Sequence, residues 1–455
     1  MPAWVARLPK NVGYPAGGSL TSDEWKALLL VYGPIVIPLI WNEWEEPAEA
    51  IYQTKVQAWK KGKEKRKPDD NKASESQPKR RMHPKDADNF LAFSAAMKIL
   101  LARSIHVDDL PPAQHLFQSY LDGFYQMHRS HIKPNHHYVT HIFEQIPDYG
   151  PVYNFWTYLF ERLNKVLKSY ASNNHSGGVI EVTFMREFSR EVRLRAMLDE
   201  LARGPEENAE GSLLAMTSRL LLRHEESRGT VSDLAQESAG LAQEMATSFA
   251  MGPGPRRFLS LDQQQQLIQA YRHAFPAIPL VLSTDPNPPR NAHYFNSGAI
   301  HHEYLVLHGR RITPSRFDGH ASNSIIQRNF NGRRYVGEVM VILSHTQPTG
   351  PDKTIQLYLL GVRWFRRASF DTSPWDGYPE LEVLFWKFNE YLNPDREGPP
   401  FFLLPDEILS QAARLTLLTP SKHHNDDDET LLADQPNPQR KIWATCGLTK
   451  DVIVM

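Results

Sequence analysis

Cysteine is almost missing from this 455-residue chain; Cys446 stands alone. A single thiol excludes a disulfide within the chain and any cysteine-rich zinc cluster, and it fits a reducing compartment. Also missing are a Gly-rich phosphate loop, a G-x-S-x-G elbow and a cysteine with a histidine base. The N-terminus, MPAWVARLPKNVG, lacks the continuous apolar segment of a signal peptide. The longest apolar stretch, ALLLVYGPIVIPLIW, is interrupted by Gly33, Pro34 and Pro38 and is too short to span a bilayer. Charge of one sign is lacking as well: the net charge is −1, which gives no global attraction to nucleic acid or membrane. The simplest reading is a soluble intracellular protein with no membrane partner.

What is present suffices for a folded core. Hydrophobic residues make up 41% and aromatics 11%, too many for a disordered chain, and the length allows two to four domains. TSDE at 21–24 matches a capping box with Thr21 as N-cap and Glu24 at N3. A helix starts there, and Gly33-Pro34 is expected to break or kink it. Helical spacing recurs over 86–130, 152–170, 179–203, 213–225, 231–249 and 261–274. After STDPNPPRN (283–291) the period changes. EYLVLHG, SIIQRNF, RYVGEVMVILSH and TIQLYLLGVRWF read as strands, and RKIWATCGL as a last one. Ile355, Leu357 and Leu359 share one parity while Val362 and Trp364 have the other, so Gly361 is expected at a bulge.

One segment carries the local charge asymmetry. From Lys55 to Lys85 there are twelve Lys and Arg against four Asp and Glu, a net +8, with few apolar residues. This predicts a disordered basic insert, placed at 52–85. It reads either as a solvated linker or as a nuclear-import signal or phosphate contact. Lys60, Lys61, Arg80 and Arg81 are its candidate nucleic-acid contacts. An acidic run at 420–438, containing HHNDDDE, is expected to be a disordered loop.

Two constellations could carry chemistry. In GPVYNFWTYLFERLNKVLKSY, Val152, Phe155, Trp156, Leu159, Leu163 and Val166 form a helical stripe. Glu161 projects opposite it, with Lys165 and Lys168 on its own face. The plainer reading is an exposed i,i+4 pair of Glu161 with Lys165, worth a few tenths of a kcal/mol. The second constellation is His137, His141 and Glu144, at i, i+4 and i+7 on a helix, a spacing that suits a metal. It is not the H-E-x-x-H pattern, and helix-capping or packing histidines are commoner.

The stretch KPNHHYVTHIFEQIPDYGPVYNFWTYLFERLNKVLKSY…NNHSGGVIEVTFMREF resembles the segment after the core domain in fungal CACTA (En/Spm) DNA transposases. The N-terminal MPAWVARLPKNVG…LTSDEWKALLLVYGPIVIPLIW is similar to the same proteins, so the likeness covers about residues 1–205. Such transposases join strands with an acidic triad and two divalent metals on an RNase H-like core. The resemblance implies Glu161 as a candidate third acid and Arg162, Lys165 and Lys168 as candidate DNA contacts. One glutamate cannot hold two metals. The family's two aspartates would lie before residue 1, so no cofactor is expected, with Mg²⁺ entering only if a core polypeptide supplies the rest of the triad. RYVGEVMVILSH…YLLGVRWFRRASFD…FFLLPDEILSQA resembles the strands of bromo-adjacent-homology (BAH) domains over about 300–418. Trp364 there reads first as core and second as part of a ligand groove.

The expectation is an α+β chain: a helical transposase-associated region at 1–275, a linker at 276–299 and a small antiparallel, barrel-like β domain at 300–455. The function expected is a transposase-derived nuclear protein, non-catalytic on its own, associated with DNA or chromatin. The alternatives are a subunit of an active transposase or nuclease, and a chromatin- or protein-interaction module built on the β-rich part.

Overall fold

In the computed structural model, Thr21 and Glu24 form the expected capping box. The Thr21 hydroxyl accepts from the Glu24 N–H, and Glu24 Oε2 accepts from the Thr21 N–H at 2.7 Å. The structure describes residues 2, 5–14, 19–64, 76–102, 105–152, 155, 157, 179–202, 213–214, 217–218, 221, 249–307, 310–315, 323–350, 353–393, 397–420 and 439–448. They belong to two compact units, Met1–Tyr153 with Ser248–Met455, and Asn154–Thr247.

Helix α1 (Ser22–Ala27) does not break at Gly33-Pro34. It passes through a π-turn, Leu28–Tyr32, into α2 (Gly33–Glu64). The Gly33 N–H reaches back to Leu28 O, and Pro34 has no N–H, so the next carbonyl, Leu29 O, loses its helical donor. Ser94 Oγ supplies one at 2.5 Å. Ser94 lies on α3 (Asp86–Leu100), which crosses closely: a Cβ on Gly33 would sit 2.5 Å from Phe90 Cζ. Helix α4 (Leu110–His128) packs on α3 through Phe93, Phe117 and Tyr120. Two short helices follow, α5 (Pro134–Tyr138) and α6 (Ile142–Tyr149). Helix α7 (Val179–Ala202) lies in the second unit and carries the ion pair Arg195–Glu191 at 2.9 Å. Of the other expected helices, most of 152–170, most of 213–225 and all but the last residue of 231–249 lie outside the described residues.

The remainder is β1 (Phe249–Met251), β2 (Arg256–Phe258), α8 (Leu261–Ala274), β3 (Leu280–Val281), β4 (His293–Tyr294), β5 (Gly298–His301), β6 (Leu305–Leu307), β7 (Arg310–Ile312), β8 (Ile325–Phe330), β9 (Arg333–Gly350), β10 (Lys353–Arg367), β11 (Val383–Tyr391), β12 (Phe402–Leu403), β13 (Ser410–Pro420) and β14 (Gln439–Gly447). Nine of these strands form one sheet in the order β12-β10-β11-β14-β13-β8-β9-β5-β2, and its neighbours pair antiparallel. The long hairpin β9–β10 adds a further antiparallel pairing, so the ladders lead from β10 through β11, β14, β13, β8 and β9 back to β10. The fold is α+β, with helices towards the N-terminus and a large antiparallel sheet in the C-terminal part.

The expected irregularity at Gly361 is present, but the extra residue is on the partner strand. Gly361 faces Val341 and Val362 faces Val339, which leaves Met340 unmatched. The two parities of β10 do not share one core either. Leu357 and Leu359 enter a cluster with Leu267, Ile268 and Tyr271 of α8, whereas Leu360, Val362 and Trp364 enter another with Leu305, Ile312 and Val339. Both faces of this strand are covered, so alternation alone could not choose one. Trp364 is 1% exposed and donates from Nε1 to Pro400 O at 2.9 Å, which makes it a core residue.

The compact units do not follow the expected domain boundaries. Residues 276–299, expected as a linker, hold β3, β4 and the start of β5, with Leu280, Val281 and Phe295 buried. The helices at 22–100 share a core with the sheet: Ile35, Leu91 and Ala95 are buried against Trp375, Leu381, Phe385, Ile442 and Cys446. Each buried Ile or Leu there contributes about 1.5–3 kcal/mol. Polar contacts cross the same joint. Trp375 Nε1 donates to Pro34 O at 2.6 Å, Tyr378 Oη to Asp88 Oδ1 at 2.7 Å, and Lys98 Nζ to Leu381 O at 2.9 Å. Lys98, 7% exposed, also lies 3.8 Å from Glu382, which pairs with Arg334. A change of period at 283–291 therefore marks a change of secondary structure and not the edge of a core.

Candidate nucleic-acid interface

Residues 52–85 are not the uniform disordered insert expected from their charge. Helix α2 continues through them to Glu64, residues 65–75 lie outside the described residues, and 76–85 return along α2. Three contacts hold the return. Trp41 Nε1 donates to His83 O at 2.9 Å, Arg80 Nη2 meets Glu49 Oε1 at 2.9 Å, and the Arg80 guanidinium lies 5.0 Å from the Tyr52 ring centre. Arg80, expected as a nucleic-acid contact, thus pairs within the chain and anchors the arm. Lys60, Lys61 and Arg81 are exposed as a phosphate contact requires. Lys55, Lys63 and Lys79 are exposed as well, at the end of α2 and on the returning segment. Their signal was already in the charge count; individual lysines carry no further mark in the sequence.

The other candidates are placed differently. Glu161, Arg162, Lys165 and Lys168 lie outside the described residues, as does 421–438 of the acidic run. His137, His141 and Glu144 do not share one α-helical face. A 3₁₀ turn, Val139–His141, separates α5 from α6 and changes the rotation per residue. His141 Nδ1 is 3.4 Å from Glu144 Oε2, and the His137 ring meets the His141 ring edge-on at 5.1 Å. Among the described residues, no three His, Cys, Asp or Glu side chains gather as a metal site. The neighbouring histidines pair and stack: His128 Nε2 is 2.6 Å from Asp86 Oδ1, and His136 stacks on Phe124.

The sheet contains a charged cluster that sequence reasoning missed. Glu338, 5% exposed, accepts from Ser315 Oγ at 2.8 Å and from Tyr391 Oη at 3.3 Å. Arg363 and Arg414 approach it at 3.4 and 3.9 Å. Arg414 also lies 4.4 Å from the Trp443 ring centre and 5.7 Å from that of Phe365. Burial pushes the Tyr391 hydroxyl above its ordinary value, and Glu338 adds to the shift. Burial draws the Arg414 guanidinium below its ordinary value against the pull of Glu338. A buried carboxylate ringed by cations is an internally satisfied cluster; its sequence sign was a lone glutamate inside the apolar strand RYVGEVMVIL. The helix spanning Ser22–Lys63 is long and apolar enough to cross a membrane by length and composition, and 33% of its most apolar window is buried in the protein. No family model matches this chain, and comparison with curated proteins and with solved structures gives no match.

Proposed function

We propose that this chain is a transposase-derived nuclear protein, non-catalytic on its own, that holds DNA or chromatin through the basic arm of α2. The observation that carries the reading is the arm itself. Lys60, Lys61, Lys63, Lys79 and Arg81 lie exposed at the end of α2 and on the segment that returns along it. The Arg80–Glu49 pair and the Trp41–His83 contact give that surface a defined footing. Phosphate contacts of this kind position a protein on nucleic acid without reading its sequence. The sheet fits a BAH-like barrel in this reading, supported by ladders that return from β9 to β10, and serves as a chromatin- or protein-interaction module.

The test is binding of mixed-sequence duplex DNA, followed by fluorescence anisotropy over a salt series. Affinity is expected to fall log-linearly with salt. Lys60→Glu with Arg81→Glu is expected to weaken binding and to lower the salt slope by about two. An affinity and a slope unchanged by both substitutions would sink the reading.

A further inference from the structure

Beside the basic arm, the exposed face of α2 carries an apolar seam that the DNA reading does not use, with Lys61 bordering both. Ile40, Trp44, Pro47, Ile51, Thr54 and Ala58 follow one another at spacings of four, three, four, three and four, a heptad seam about 27 Å long. All six are exposed, Ile40 at 41%, Trp44 at 54% and Ile51 at 58%. The seam is not the face on which the helix rests. Trp41, Glu49, Tyr52 and Val56, which meet the returning segment or are buried, lie about a third of a turn or more away. Pro47 lacks an N–H to give the helix, yet its ring adds apolar surface to the seam.

Charge along the same helix is segregated. Residues 40–49 contain Glu43, Glu45, Glu46 and Glu49 and no base; residues 55–63 contain Lys55, Lys60, Lys61 and Lys63 and no acid. Glu43 and Lys61 flank the seam on the same side, eighteen residues apart, which is five turns of helix. A second helix of the same sequence laid antiparallel on the seam sets Glu43 of each copy beside Lys61 of the other, whereas Glu49 points away from the seam and is taken by Arg80. A parallel one brings like to like. We infer that this face of α2 pairs with the α2 of a second copy of the chain in an antiparallel, two-fold arrangement. Ile51 packs on Ile51 of the second copy beside the axis, Trp44 of each copy lies over Ala58 of the other, and Glu43 of each copy meets Lys61 of the other. A two-fold interface uses the same patch on both subunits, and with Glu43 and Lys61 on one side of an apolar seam the antiparallel orientation sets each against the opposite charge of the other copy.

The experiment is sedimentation velocity on the full chain over a concentration series. A reversible dimer is expected. Trp44→Ala with Ile51→Ala is expected to give monomer with an unchanged circular dichroism spectrum, because both side chains are exposed. Glu43→Lys alone and Lys61→Glu alone are each expected to raise the dimer dissociation constant roughly tenfold. The two exchanges together restore it, which neither a nonspecific apolar contact nor a misfolded variant would do. A chain that stays monomeric at every concentration overturns the proposal, as does a dimer indifferent to Trp44 and Ile51. Failure of the double exchange to restore pairing overturns the antiparallel orientation. Flotation of a monomeric protein with phosphatidylserine vesicles, lost in Trp44→Ala, would assign the face to a membrane surface and also overturn it.

Discussion

Helix α2 begins in a joint and ends in an arm, and the two regions treat charge in opposite ways. At the joint, Lys98 is buried with Leu381 O and Glu382 as partners, and Glu382 takes Arg334 as well. On the arm, lysines of one sign stand exposed on neighbouring turns. A charge taken out of water must be matched within the chain, and the matched set then fixes how the elements fit. A charge left in water costs little and leaves its attraction for a partner. The joint is therefore the region on which folding depends, and the arm the region on which the proposed DNA binding depends.

The largest effect expected from this contrast is on folding. The fragment 290–455 loses α8, β2 and the partners of Trp375 and Phe385 on α2 and α3. It should show no cooperative thermal transition, whereas excision of 60–80 from the whole chain should leave the midpoint within a few degrees. A fragment that melts cooperatively would make the joint dispensable. Next in size is Trp364→Ala, which removes a fully buried ring and should cost about 3–5 kcal/mol in urea unfolding. A loss below about 1 kcal/mol would mean that Trp364 is not packed as described.

A smaller effect should appear in acid. His345 Nε2 donates to Asn296 O at 2.7 Å, and its Nδ1 lies 2.7 Å from Tyr271 Oη, which can donate to it in the neutral ring. Burial lowers its pKa from the ordinary 6.5, and the hydrogen bond to Asn296 opposes that shift. Protons then favour the unfolded chain. The stability contributed is full above pH 6.5 and is lost as pH falls through the lowered value. Unfolding free energies of the wild type and His345→Gln should converge on acidification; parallel curves would exonerate His345.

Some elements are legible in the residue pattern alone. The Thr21 cap, α8 at 261–274 and the strands around 325–367 follow from short-range patterns that tertiary contacts reinforce. Pro34 misleads, because the donor that rescues the orphaned Leu29 carbonyl comes from Ser94, 65 residues away. The triad of His137, His141 and Glu144 misleads because one 3₁₀ turn alters the facing. In the candidate interface, the charge excess marks Lys60, Lys61 and Arg81, but only the structure shows that Arg80 is committed to Glu49 and Tyr52.

The sequence by itself determined where helices cap, where the period turns from 3.6 to 2, and that a net +8 is concentrated between Lys55 and Lys85. These are properties of neighbours along the chain, set by backbone geometry and side-chain type. Tertiary structure alone decided that Ile35 and Leu91 close the same core as Phe385 and Ile442, that both parities of β10 are buried, and that Glu338 is ringed by arginines. Those outcomes depend on which distant surfaces exclude water from one another. That free energy belongs to the assembled fold, and no local pattern encodes it.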